Sequence, residues 1–246
     1  MLSTQGIVGE HENGSRPHRC ASPFSELRGL DRIKVSKYYP RGSVLFVEGE
    51  LARGVYLLRE GRDKVSISSP EGKTLVLRIA DTGELLGMNG TLIGGGYLAT
   101  VETLERCRID FISRDDFMQL LERDQGSYVG VAQCLSRQLT GLVEHTRMLV
   151  LSQSVSEKVA RLLLQWCKQH GKRTARGIRI TRVLTHEEMA QMISTSRETV
   201  TRVLNSFKRK QLIRAENGSW FIRNPAALKT VANMGTDSVW LRKTST

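Results

Sequence analysis

The sequence predicts an α+β chain: an N-terminal roll of short strands, one long central helix, and a C-terminal part of short helices closed by a hairpin. Three observations carry this. Between residues 32 and 113, short apolar or alternating runs are broken at regular intervals by turns rich in glycine and proline. From 116 to 151 the apolar residues change to helical spacing. The charge then shifts: residues 1–153 hold 19 basic and 19 acidic side chains, residues 154–246 hold 18 and 6, so the whole net charge of +12 lies after 153. A neutral part joined to a strongly basic one fits a sensing module attached to a nucleic-acid-binding module.

The 246 residues suffice for two modest domains with separate cores, and the hydrophobic (39%) and charged (25%) fractions are ordinary for a soluble protein. No apolar run approaches the ~20 residues of a membrane span. The first residues lack a basic stretch followed by an apolar one, so a cytoplasmic protein without a membrane partner is expected. Cys20, Cys107, Cys134 and Cys167 form no CxxC, and in a reducing compartment they read as reduced, mostly buried thiols. There is no Walker-type loop, HExxH or G-x-S-x-G, which predicts neither an enzyme nor a cofactor.

Taken in order, residues 1–22 are polar and aperiodic and read as a flexible arm. Residues 23–115 form the roll domain, opened by a helical turn at 24–30. Strands are expected at 43–49, 54–61, 64–68, 74–80, 98–103 and 107–112, the spacing of a sandwich or jelly roll. A metal-binding cupin shares that architecture but needs clustered histidines. The five histidines stand at 11, 18, 145, 170 and 186, none within 32–113.

Residues 116–153 read as one long helix and a hinge. Tyr128, Ala132, Leu135, Leu139, Leu142, Thr146 and Leu149 repeat at alternating steps of four and three, an a/d seam that predicts pairing with a second copy. Packing on the chain's own roll is the other use of such a stripe, and Val131, Val143 and Val150 face that way. A domain at 154–234 follows, with a helix at 157–170, a basic loop at 170–177 and a strand at 178–183. Its hairpin at 212–223 turns at Asn217-Gly218. Residues 235–246 read as a frayed tail in which Trp240 and Leu241 could dock.

Residues 185–209 hold two short helices. Thr185 and Glu188 have capping-box spacing, Met189, Met192 and Ile193 form an apolar stripe, and Ser194-Thr195-Ser196 interrupts it. Val200, Val203, Leu204 and Phe207 give the second helix its buried face at i, i+3, i+4, i+7. Arg197, Glu198, Thr201, Arg202, Asn205 and Lys208 are thereby turned outward. Arginine can bond guanine through two donors and glutamate accepts from the cytosine amino group, so this face suits base reading from a major groove. It also reads as a solvated face carrying an i,i+4 ion pair.

Ser-Arg-Glu-Thr-Val-Thr-Arg at 196–202, after Leu-Thr-His-Glu-Glu-Met-Ala, resembles the helix-turn-helix of the Crp/Fnr family of bacterial transcription regulators, and the resemblance runs over roughly residues 24–232. It implies a winged helix-turn-helix regulator that binds double-stranded DNA at a TGTGA-like palindrome as a homodimer and recruits RNA polymerase. In that reading Arg197, Glu198 and Arg202 read bases, and Ser196, Thr185 and Thr201 complete the DNA contacts. Ser194 stands where many members place a turn glycine.

The resemblance makes the roll a cyclic-nucleotide-binding-type domain, with 83–87 matching the start of its phosphate-binding cassette. Where cyclic-AMP binders carry the Arg-Ser pair that neutralises the phosphate, this chain has Tyr97-Leu98. Val143 and Glu144 replace the adenine-facing Thr-Ser pair. Glu84 matches the ribose-binding glutamate, and Arg78 is a substitute cation. These residues mark an effector pocket whose sugar-phosphate site reads as lost, so control by cyclic AMP is not expected. A redox- or thiol-responsive regulator of the same family is the alternative, since Cys107 falls where oxygen-sensing relatives place a cluster ligand. A four-iron cluster needs four thiolates, however, and the arm supplies only Cys20.

Overall fold

The computed structural model describes residues 30–232 apart from 124, 182, 183 and 217. The expected arm with Cys20, the turn at 24–29, Asn217 of the hairpin and the tail with Trp240 and Leu241 lie outside the described residues. A short helix, α1 (Leu30–Ile33), runs into β1 (Lys34–Tyr39). The roll continues through β2 (Val44–Phe46), β3 (Gly54–Glu60), β4 (Arg62–Ser68), β5 (Thr74–Asp81), β6 (Leu85–Leu86), helix α2 (Met88–Ile93), β7 (Thr100–Thr103) and β8 (Cys107–Ser113).

These strands make two antiparallel four-stranded sheets, in the orders β1-β8-β3-β6 and β2-β7-β4-β5. Leu58 and Ile109 from one sheet meet Phe46, Val65, Ala80 and Val101 from the other in a shared core. Such burial contributes about 1.5–3 kcal/mol per large apolar side chain and is what holds two sheets face to face. Gly54 has a steric reason, because a Cβ there would lie 2.1 Å from the Ile112 carbonyl oxygen of β8. Within the first sheet, buried Asp110 accepts from Arg59 Nε at 2.6 Å and lies 3.4 Å from Lys34 Nζ, tying β1, β3 and β8 together.

The span expected as one helix, 116–151, is helical on both sides of residue 124, as α3 (Arg114–Arg123) and α4 (Gln125–Leu151), with residue 124 itself outside the described residues. Their anchors differ. Phe117 and Leu121 fasten α3 to Val55, Leu57 and Ile112 of the first sheet, whereas α4 runs on from that cluster, through Val131 and Cys134, past the roll. The face of α4 turned inward carries Val131, Cys134, His145 and Met148, all buried. Val143 and Val150, expected on this side, are exposed instead. The reason is angular: Val143 is two residues before His145 and Val150 two after Met148, each about 200° around the helix.

Helix α5 (Val155–His170) begins at Ser154, whose hydroxyl accepts the Glu157 amide, so the hinge is shorter than expected. The basic loop contains a strand of its own, β9 (Lys172–Thr174), which pairs with β10 (Gly177–Ile180). Then come α6 (His186–Ile193), α7 (Arg197–Arg209), β11 (Ile213–Glu216), β12 (Ser219–Ile222) and α8 (Pro225–Val231). The four strands of this part form a sheet in the order β11-β12-β10-β9. Its core takes Leu162, Leu163 and Trp166 of α5, Met189 and Ile193 of α6, and Val200, Leu204 and Phe207 of α7. The same core reaches Val76 of β5 and Met148 of α4, so the C-terminal domain packs on the roll of its own chain.

The turn between α6 and α7 has a cost that sequence alone signals. Ser194 closes α6 in the left-handed region (φ 52°), a conformation glycine adopts freely and serine does not. Ser194→Gly removes about 1–2 kcal/mol of local strain against about 0.4–1 kcal/mol of added unfolded-chain entropy. Urea titration should therefore show a gain of about 0.5–1 kcal/mol, and Ser194→Val, β-branched at the same φ, a loss.

Candidate nucleic-acid interface

Helix α6 is started by a complete capping box: the Thr185 hydroxyl accepts the Glu188 amide at 3.1 Å while the Glu188 carboxylate accepts the Thr185 amide at 2.7 Å. Helix α7 starts in the same manner, with Ser196 accepting the Thr199 amide at 3.2 Å. Val200, Val203, Leu204 and Phe207 are buried as their spacing predicts. Their burial sets the roll of α7 about its axis and turns the opposite stripe to solvent.

That stripe forms one open concavity of about 710 Å³, lined by Arg197, Glu198, Thr201, Arg202, Asn205 and Arg209. From Arg197 to Arg209 it extends about 18 Å along the helix. Among the described residues Glu198 and Arg202 form no ion pair with each other, whereas Glu157 and Arg161, equally spaced on α5, pair at 2.8 Å. The reading of α7 as an i,i+4 ion-pair face is thus realised on α5 instead. On α7 the carboxylate and the guanidinium groups remain available for base edges.

The six residues singled out for DNA contact gather here in two roles. Arg197, Glu198 and Arg202 are exposed in the groove. Ser196 and Thr185 hold their hydroxyls in helix caps at the two N-termini. Thr201 lines the groove while its Oγ1 donates to the Arg197 carbonyl at 2.9 Å. Asn205 and Arg209 extend the groove beyond that set. Continuing the i, i+4 walk from Thr201 to Asn205 and on to Arg209 is the signal that finds them.

His186 is a further member. Its Nδ1 lies 2.8 Å from Thr201 Oγ1, and its ring meets Trp220 of β12 edge-on, with centroids 6.4 Å apart. Because the Thr201 hydroxyl donates to Arg197, Nδ1 carries the proton toward Thr201. Burial, and then the nearby Lys208 and Arg197 cations, hold this imidazole below the usual histidine range. A second concavity of about 330 Å³, lined by Lys208, Gln211, Ile213, Arg214, Ala215 and Arg223, lies beside the first. Its lysine and arginine side chains carry the basic surface from α7 onto the β11–β12 hairpin and the residue after it.

Of the effector-pocket residues, Arg78 and Glu84 meet each other, while Tyr97 lies in the roll core and Val143 and Glu144 on the exposed side of α4. Arg78 is ion-paired with Glu84, whose other oxygen accepts the Asp81 amide at 2.9 Å. Tyr97 is buried in the roll core, stacked on Phe46 at 3.9 Å, with its hydroxyl donating to the Gly54 carbonyl at 2.8 Å. Val143 and Glu144 are exposed on α4. Cys107 is a core thiol that donates to buried Asp63 at 3.3 Å; burial, then the Asp63 carboxyl, push it up to about 12. Among the described residues no three His, Cys, Asp or Glu side chains gather into a metal site, and no helix is long and apolar enough to cross a membrane.

Residues 157–231 match the Crp-like helix-turn-helix domain and residues 36–124 the cyclic nucleotide-binding domain. The chain is 30% identical over 179 residues to the cAMP-activated global transcriptional regulator CRP of Salmonella typhimurium, covering 72% of this chain and 84% of that protein. It is 26% identical over 228 residues to a CRP-like cAMP-activated global transcriptional regulator of Mycobacterium tuberculosis, covering 93% and 96%. Among solved structures, a CRP-family transcriptional regulator from Thermus thermophilus superposes with a TM-score of 0.67 at 26% identity, over 80% of this chain and 96% of that one. A cyclic-nucleotide-binding-type roll, a long helix and a basic helix-turn-helix thus occur here in the order of these relatives, and the chain belongs to the Crp/Fnr family of DNA-binding transcription regulators.

Proposed function

We propose that this regulator reads a TGTGA-like palindrome as a homodimer, and that its roll does not take cyclic AMP as cyclic-AMP receptors do. The observation that carries the operator reading is the α7 groove, where Arg197, Glu198 and Arg202 stand free on one face with Asn205 and Arg209 behind them. Guanine and cytosine edges in the major groove present the acceptors and the donor that these three side chains match. The partner on which a bound dimer acts is RNA polymerase.

Arg197→Ala is expected to cost about 1–3 kcal/mol on the cognate operator and little on scrambled duplex, measured by fluorescence anisotropy. Lys210→Ala or Arg173→Ala, at exposed positions further from the groove, should weaken both duplexes alike and flatten the salt dependence. Equal losses from Arg197→Ala on both duplexes would remove its base-reading role.

The dimer rests on α4. Tyr128, Ala132, Leu139, Leu142 and Thr146 of the seam are exposed in the single chain, Leu139 by 65%, with Leu135 and Leu149 half-buried. An exposed leucine row at heptad spacing is unfavourable in water and suits the same row of a second copy. Leu139→Asp would bury a charge at the centre of that seam at a cost of several kcal/mol. Light scattering should then report a monomer with an intact roll and lost operator affinity.

The two curated relatives above are described as cAMP-activated; this roll differs where the phosphate would sit. Tyr97 fills the core there, Gly87 lies against its ring, and Arg78 is engaged by Glu84. A phosphate buried without a cation loses several kcal/mol. Calorimetric titration at millimolar cyclic AMP should show no binding, and operator affinity should be unchanged by the nucleotide. Micromolar binding that raises operator affinity would reverse this conclusion. A thiol switch is the less favoured reading, because Cys107 is sealed in the core with its thiolate strongly disfavoured.

A further inference from the structure

His145 lies on the inward face of α4, one turn before Met148, and is only 8% exposed. Its two ring nitrogens approach two backbone carbonyl oxygens on different domains. Nδ1 meets the oxygen of Leu77 on β5 of the roll, and Nε2 meets that of Met192 on α6 of the helix-turn-helix at 2.7 Å. Both oxygens are acceptors that regular structure leaves over. Strand β5 is at the edge of its sheet, and Leu77 is the unpaired residue between Val76, opposite Ser66, and Arg78, opposite Val65. Met192 stands in the last turn of α6, where carbonyls have no intrahelical donor and the helix dipole is negative.

A neutral imidazole has one N–H and one lone pair, so it can donate to only one of these oxygens and would set its lone pair against the other. The imidazolium donates to both and also complements the helix C-terminus. We propose that His145, as the imidazolium, is a positioning residue for operator binding, clamping the helix-turn-helix head to the roll at one orientation.

Other contacts agree on where the two domains meet. His170 Nε2 at the end of α5 lies 3.3 Å from Asp81 at the end of β5, and Arg41 lies 4.0 Å from Glu188 of α6. The charged side chains on the three elements at the ring are Arg78 and Asp81, Glu187 and Glu188, and Glu144 and Arg147. Arg78 is paired with Glu84, Asp81 with His170, Glu187 with Gln191 and Glu188 with the Thr185 amide, while Glu144 and Arg147 are exposed. The clamp leaves the α7 groove open to solvent.

This role rests on the operator reading above, and a dimer engages two half-sites at once only if both heads are held in place. The test uses the full-length protein, wild type and His145→Gln, on the palindrome and on a duplex with one half-site scrambled, at about pH 6 and about pH 8. Wild-type affinity for the palindrome should rise about tenfold toward the lower pH, well beyond any rise on the single half-site. His186 in the groove acts twice on the palindrome and once on the half-site, but it is present in both proteins, so the excess that His145→Gln loses isolates the clamp. His145→Gln should lose the excess and bind the palindrome more weakly while keeping its half-site affinity. Equal pH profiles for wild type on the two duplexes would overturn the clamp without reference to any variant, as would a palindrome affinity and pH profile unchanged in His145→Gln. If wild type failed to distinguish the palindrome from fully scrambled DNA, the operator reading and the clamp would fall together.

Discussion

Burial of one stripe of α7 decides where its other stripe points, and the DNA-facing chemistry depends on it. Val200, Val203, Leu204 and Phe207 lock into a core with Leu162, Leu163 and Trp166 of α5 and Met189 and Ile193 of α6. A rotation of α7 that exposed any of them would lose about 1.5–3 kcal/mol per side chain. Arg197, Glu198 and Arg202 are held outward by this apolar contact, without a polar network of their own. The caps at Thr185 and Ser196 start the two helices at fixed residues, and Ser194 accepts a left-handed turn to join them.

Helix α4 works through its two faces in a similar way. Val131, Cys134, His145 and Met148 follow one line down the helix and are satisfied within the chain, first by the roll and then by the head. On the other line Leu139 and Leu142 are exposed in the single chain, while Leu135 packs partly against the roll cluster. One helix therefore packs on the roll and on the C-terminal domain and carries the exposed leucines.

The roll keeps the architecture of a nucleotide-binding domain while its polar groups are spent on one another. Arg78 neutralises Glu84, the Tyr97 hydroxyl satisfies Gly54, and Asp63 is buried against Cys107 with desolvation raising its carboxyl to about 7. The first two pairings satisfy their groups, whereas Asp63 keeps one buried oxygen without a hydrogen-bond partner among the described residues.

Strands β2 to β5, β7 and β8 of the roll, the exposed seam of α4, the capping box and both faces of α7 were legible in the sequence, whereas β1, β6 and the inward face of α4 beyond Val131 were not. Each legible feature follows from spacings of two, three, four or seven residues, and a periodicity that short is written in the local chain. Family resemblance supplied the roles of Arg197, Glu198 and Arg202, which composition by itself left open. What only the tertiary structure decided is pairing across distance. It packed Phe117 and Leu121 of α3 on the first sheet while α4 continues past the roll. It set Arg78 against Glu84, and it seated Tyr97 on Phe46. It also placed the ring of His145 between Leu77 and Met192, 68 and 47 residues away in the chain. No local pattern encodes which edge strand meets which helix end, because that choice is made by the fit of whole surfaces after the elements have formed.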